Sequence, residues 1–386
     1  MSYESDIFFS DKMAGAPHPM QTKEIIGHNV QKLNFVSSFA NNRLPQCWLL
    51  AGDKGIGKAS FAWQVSKFLL TTTHKPVDLK IDLNSTDINS ILEPQSGSTL
   101  SRIISGSEQR IYIVRRSYNE NKKAFLKNIS IEEIRKLQSY CSLSIADGGQ
   151  RIIIIDSADD LNKSSGNALL KLLEEPPKKT LFLLISHQPN VLLPTIKSRC
   201  QKLSFSNLDQ ADLAAVLGAI GCKIDQSEEN ALSILSKGSA GAACRIINSN
   251  CINLYKDILK IISSLPNLNI NRTLQLSQDY FAKAKSDNFE IFYEMMQQFF
   301  SRLCKTAAMQ SAMLPSVSNE EARIMSNLCP SRKSASLWSE AANITLAKLN
   351  KGYLLNINIE SLIVDAFIYL EKCYKAISQN RITNEY

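Results

Sequence analysis

Along the first half of the chain, four runs are apolar at almost every position: residues 47–51 (Cys-Trp-Leu-Leu-Ala), 110–115, 151–156 (Arg-Ile-Ile-Ile-Ile-Asp) and 180–186. Unbroken runs of this length, without in-and-out alternation, belong to strands covered on both faces, as in a parallel sheet. Residues 59–70, 130–142 and 163–174 instead repeat their apolar positions at three- and four-residue spacing, which predicts amphipathic helices. Strand and helix in alternation predict an α/β domain with helices on both faces of a parallel sheet. Between the first helix and the second strand, residues 71–109 are polar, rich in Ser and Asp and weakly periodic, and are expected to be a surface insertion.

The pattern changes after Phe205. Short helices are predicted over 209–217 and 227–237, followed by Gly238-Ser-Ala-Gly241-Ala-Ala, whose small residues permit a tight turn or close packing. From about residue 254 to 378 the periodicity is long and helical, with breaks at Pro266, Pro315 and Pro330. This gives three expected domains: an α/β domain over 1–206, a small helical domain over 207–253 and an all-helical domain over 254–386.

Composition narrows the function classes. With 386 residues and 44% hydrophobic content the chain reads as a globular protein with ample core. The first residues lack a signal-peptide pattern and no apolar run has the length of a membrane span, so no membrane and a cytoplasmic setting are expected. Nine cysteines are scattered without a Cys-x-x-Cys pair, which predicts buried reduced thiols, no disulfide framework and no zinc. The formal charge of +8 suits a nucleic-acid-facing surface and an ordinary soluble protein equally.

The chemistry concentrates at Gly52-Asp-Lys-Gly55-Ile-Gly57-Lys58-Ala59. A phosphate loop needs glycines so that backbone N–H groups can close around phosphates, a lysine for the outer phosphates, and a Ser or Thr hydroxyl for Mg²⁺. Strand before and helix after support the motif, but Ala59 lacks the hydroxyl. At the end of the third run, Asp156 suits the Mg²⁺ water shell, while the next residue is Ser157, whose hydroxyl cannot usefully accept a proton from an attacking water. Asp159 and Asp160 lie beyond the strand end. Further on, Glu174-Glu175 crowd two carboxylates onto the negative end of a helix that Pro176-Pro177 terminate, which suggests a fixed partner or a solvated corner.

Three segments taken together, 167–177 (Asn-Ala-Leu-Leu-Lys-Leu-Leu-Glu-Glu-Pro-Pro), 182–189 and 193–200 ending in Ser198-Arg199-Cys200, resemble the clamp-loader branch of the AAA+ proteins. The resemblance covers residues 26–247 in its motifs and the C-terminal helices in general character. It implies an AAA+ domain, a helical lid and a helical collar, and it makes Arg199 the arginine that enters a neighbouring subunit's ATP site. A planar, permanently charged fork suits that task. An arginine capping a short helix is the plain alternative.

Three departures from the family's motor subunits fall on hydrolysis: Ala59, Ser157, and Gly241 where motors carry a sensing arginine. The residue serving a neighbour is intact while the site serving this chain is degraded, which resembles the delta-prime class of the bacterial DNA polymerase III clamp loader. The four-cysteine zinc module that motors and many delta-prime chains carry after the loop helix has no counterpart, because residues 71–109 contain no cysteine. The resemblance implies a hetero-pentamer with motor (gamma or tau) and delta subunits, acting on a sliding clamp and primed DNA, and little or no ATPase activity in this chain. ATP or ADP binding at Gly52, Gly55, Gly57 and Lys58 stays open. So do two rivals, an active motor with a divergent site and a P-loop phosphotransferase.

Overall fold

The computed structural model describes residues 10–11, 16–72, 88–121, 124–143, 149–222, 224–225, 227–249, 251–281, 286–309, 315–329 and 331–382. In chain order the first elements are α1 (Asn29–Ala40), β1 (Cys47–Ala51), α2 (Lys58–Thr71), α3 (Ile88–Ile91), α4 (Ser98–Ile104) and β2 (Ile111–Val114). A two-stranded ribbon of β3 (Tyr118–Asn119) and β4 (Ala124–Phe125) leads to α5 (Ile131–Ser142), β5 (Arg151–Asp156), α6 (Lys163–Glu174), β6 (Thr180–Ser186), α7 (Pro194–Lys197) and β7 (Gln201–Ser204). The helical remainder is α8 (Gln210–Ala219), α9 (Glu229–Ser236), α10 (Ala240–Asn248), α11 (Cys251–Ile262), α12 (Ile270–Phe281), α13 (Ser286–Met309), α14 (Asn319–Leu328), α15 (Arg332–Leu354) and α16 (Ile359–Ile382).

Five strands pair in parallel in the order β2-β5-β6-β1-β7. Because successive residues of a strand point to opposite faces, each central strand feeds two cores. Trp48, Leu50, Ile152, Ile154, Leu181, Leu183 and Ile185 pack with Phe35 of α1 and Phe61, Val65 and Phe68 of α2. Leu49, Ala51, Ile153, Ile155, Phe182 and Leu184 pack on the other side with Ile134 and Leu137 of α5 and Leu169 and Leu173 of α6. The alternation expected from composition is thus realised as a sheet with a helical layer on each face.

Two expectations are revised. A fifth strand, β7, lies at the sheet edge beside β1, although only Leu203 of its four residues is buried. The stretch expected as a surface insertion is partly core: Leu92 and Ile103 are buried beneath α2. Residues 73–87 of that stretch lie outside the described residues.

By its contacts the chain divides into two compact units, one of residues 1–223 and 237–244, the other of residues 224–236 and 245–386. The segment expected as a lid, 207–253, is therefore shared between them. In the second unit Phe292, Phe299, Phe300, Trp338 and Phe367 are buried among the helices. Its interior also holds Glu321, fully buried, which accepts from Tyr255 Oη at 2.6 Å, from Arg302 Nε and Nη2 at 2.7 Å each, and from the Val317 amide at 2.6 Å. A buried carboxylate persists there because every strong donor around it is aimed at it.

Candidate nucleotide site and exposed arginine

Parallel register brings the chemistry together at the C-terminal ends of the strands. Ala51 pairs with Ser186 and Asp156 with Ile185, so the loop leaving β1, the carboxylate ending β5 and the polar residues ending β6 adjoin. Open α/β sheets bind ligands outside this end of the strands. Gly52 continues the ladder by donating to Ser186 O at 3.3 Å. Its φ is +153°, and a Cβ there would stand 2.5 Å from Phe205 O, so only glycine lets the loop turn against the end of the sheet.

Lys58 opens α2 and is 2% exposed. Its Nζ turns back on the loop, donating to Gly52 O at 2.7 Å and to Asp53 O. Burial lowers its pKa to about 8, against the attraction of Asp156, Asp159 and Asp53. The Asp156 carboxyl moves the other way: burial, reinforced by the charge of Asp11, raises it to about 7, against the pull of Lys58. Ala59, the residue after Lys58, is partly buried and packs against the hydrophobic core. Ser157 is buried and donates to Asp160 Oδ2 at 3.2 Å.

The acids beyond the strand end are engaged. Asp159 accepts from Ser186 Oγ at 2.6 Å and from the His187 amide, while Asp160 pairs with Arg116 at 3.2 Å. Burial and the charge of Lys58 lower the pKa of His187 to about 4, so its ring is neutral at pH 7.

Contacts from residues distant in sequence close around the loop. Ser239 Oγ donates to Lys54 O at 2.8 Å, and the Gly241 amide donates to Gly55 O at 2.9 Å. Gly55, at φ +79°, would put a Cβ 2.6 Å from Ser239 Oγ, so the small-residue segment is seated directly on the loop. From the other side His28 Nε2 donates to Ile56 O at 2.7 Å, its ring edge-on to Phe205. Asp11 reaches His18 at 3.2 Å and Arg115 at 2.9 Å. Burial alone would raise the Asp11 pKa, but the His18 hydrogen bond and the Arg115 charge outweigh it and hold the carboxyl ionised.

Arg199 follows the short helix α7 and is exposed. Nη1 donates to Thr195 O at 2.9 Å and Ser198 Oγ at 3.3 Å, and Nη2 lies 2.6 Å from Glu174 Oε1 at the end of α6. The fixed partner expected for the carboxylates at this helix C-terminus is, at Glu174, an arginine. α7 comes close to α6 because Gly166 is bare; a Cβ there would stand 3.0 Å from Leu193 Cδ1. Cys200 is partly buried and its thiol is raised to about 12 by burial, which keeps it protonated. All nine cysteines are free, and among the described residues no group of His, Cys, Asp and Glu is arranged to hold a metal.

A parallel sheet in this strand order, with a glycine loop between β1 and α2 and an aspartate ending β5, defines a P-loop domain of the AAA+ class. The sequence profile of the family described as DNA polymerase III, delta subunit matches residues 27–209. The delta' subunit of DNA polymerase III from Bacillus subtilis is 33% identical over 181 residues, 46% of this chain and 47% of that one. The delta' subunit from Pseudomonas aeruginosa is 46% identical over 74 residues, 19% of this chain and 23% of that one. The tau subunit from Bacillus subtilis is 24% identical over 290 residues, 72% of this chain and 47% of that one. A solved gamma-subunit-related protein from Thermotoga maritima is 16% identical, with a TM-score of 0.36 over 89% of this chain and 99% of that one. Over residues 27–209, somewhat less than half of its length, the chain is thus similar to the DNA polymerase III delta-type subunits. It spans less than half the length of each of the three named DNA polymerase III subunits.

Proposed function

We propose that this chain is a non-hydrolysing, delta-prime-type subunit of a DNA polymerase III clamp loader, which helps assemble the loader and lends Arg199 to the ATP site of a neighbouring motor subunit. One asymmetry carries the reading. The chain's own site carries Ala59 where a phosphate loop has its magnesium hydroxyl and Ser157 where a hydrolysing site has its base, while Arg199 stands exposed on the surface.

The loop's fit to a nucleotide is partial. The first amides of α2, at Lys58, Ala59 and Ser60, have no acceptor within the helix, and with Gly52, Gly55, Gly57 and Lys58 they would hold the phosphates of ATP or ADP. Magnesium-assisted hydrolysis fits poorly. Ala59 offers no hydroxyl, and the Ser157 hydroxyl is committed to Asp160. Nucleotide here would be a structural ligand. In a neighbour's site, by contrast, a guanidinium stabilises the charge that develops on the transferring phosphoryl group and needs no proton transfer of its own.

The partners in this reading are gamma or tau motor subunits and a delta subunit in a hetero-pentamer that acts on a sliding clamp and primed DNA in the cytoplasm. No structural zinc is part of it. The similarity to a tau subunit over 72% of the chain favours one alternative, an active motor with a divergent site. ATP turnover by the purified chain separates the two. Turnover equal to that of a Lys58→Ala control supports the non-hydrolysing reading, and turnover well above it establishes the motor.

A further inference from the structure

We infer that Glu174 is a positioning residue for Arg199, holding its guanidinium ready for a phosphate on a neighbouring subunit; this rests on the trans role proposed above. Arg199 is fixed at both terminal nitrogens, Nη1 by Thr195 O and Ser198 Oγ and Nη2 by Glu174 Oε1. A guanidinium has five N–H donors, so anchoring of this kind leaves donors for a ligand. The anchor itself is firm, because Glu174 ends a twelve-residue amphipathic helix whose Leu169 and Leu173 are in the core and whose Gly166 admits the 193–196 segment.

The pair's energetics point to orientation and not to stability. Its side chains are 46% and 33% exposed for Glu174 and Arg199, and exposed ion pairs contribute little to folding. The site is nonetheless costly for a carboxylate by itself, since Glu174 and Glu175 stand at the negative end of the α6 dipole. Arg199 relieves that repulsion, and Glu174 in return removes rotamers that a long exposed side chain just beyond a short helix would otherwise sample. A guanidinium ordered before a phosphate arrives loses less freedom when it binds in the transition state.

The test is steady-state ATP turnover by a reconstituted loader containing this chain unmodified or as Glu174→Gln, Glu174→Asp, Arg199→Ala, or Glu174→Gln with Arg199→Ala, each shown by gel filtration to be fully assembled. Glu174→Gln is expected to lower kcat, removing about half to four-fifths of the part that Arg199→Ala removes, with KM for ATP unchanged. Glu174→Asp should restore part of it, and Glu174→Gln should add nothing once Arg199 is Ala. If Arg199→Ala leaves turnover intact, the trans role itself fails. If Arg199→Ala slows turnover while Glu174→Gln equals the unmodified chain, Glu174 is only a surface neighbour; if Glu174→Gln raises turnover, Glu174 withholds the arginine. Either result overturns the positioning role while leaving the trans role standing.

Discussion

Lys58 and Glu108 show how differently two buried charges are treated. Lys58 meets backbone carbonyls, and burial depresses its pKa. Glu108 instead meets two arginines: Arg110 Nε at 2.7 Å and Nη2 at 3.1 Å, and Arg102 Nε at 3.1 Å. The hydrogen bond from Arg110, against the cost of burial and helped by Arg102, lowers the Glu108 carboxyl to about 2. That pair ties α4 to the start of β2. A depressed carboxyl contributes stability that is complete above the ordinary glutamate pKa of 4.5 and is lost as the pH falls through 2. Glu108→Gln should therefore cost about 2 kcal/mol near pH 7, discounted for the exposed Arg102 side, and progressively less as the pH drops from 4.5. Urea denaturation of both proteins at pH 7 and pH 3 measures the difference; an equal gap at both values would mean that the carboxylate's charge is not what holds the contact.

At the scale of elements, legibility follows burial. β1, β5 and β6 lie inside the sheet, are covered on both faces, and so stand out in the sequence as unbroken apolar runs. β7 has one buried residue among Gln201, Lys202, Leu203 and Ser204, because an edge strand with one covered face has no run to show. The loop glycines and Lys58 were legible because their spacing is a motif. Ser239, His28 and the Glu174–Arg199 pair were not, since each acts on a residue distant in sequence through contacts that only the fold creates. The same distinction predicts unequal sensitivity. Leu183, fully buried in β6 between β5 and β1, has neighbours on every side that cannot collapse into a void, so Leu183→Ala should cost about 3–5 kcal/mol. Leu203→Ala, on the edge strand, should fall toward the low end of that scale, about 2 kcal/mol, because a free edge can relax. Chemical-denaturation midpoints of the two variants check the order; equal losses would show the β7 edge to be as rigid as the sheet centre.

At the scale of the whole chain, the first unit is discontinuous: residues 237–244 return to it and seat on the phosphate loop, while 224–236 belong with the C-terminal helices. Within that second unit, α9 buries Ala231, Leu232 and Leu235, Glu228 pairs with Lys256 at 2.8 Å, and Asn230 Nδ2 donates to Ser316 O at 3.0 Å. A chain ending at Asn253 keeps the sheet and the 237–244 segment but strips α9 of those partners. An eight-residue helix is too short to persist without packing. Hydrogen exchange on the truncated chain should show β1, β5 and β6 still protected and residues 229–236 exchanging freely, whereas in the full chain both are protected. The shortened chain should also fail to co-elute with motor and delta subunits, since the exposed Leu354, Leu355 and Ile357 at the end of α15, together with the rest of α11–α16, are then missing. Protection of 229–236 in the truncated chain would mean that α9 draws its stability from the first unit, and normal co-elution would place the subunit contacts in the AAA+ domain instead of the helices that follow it.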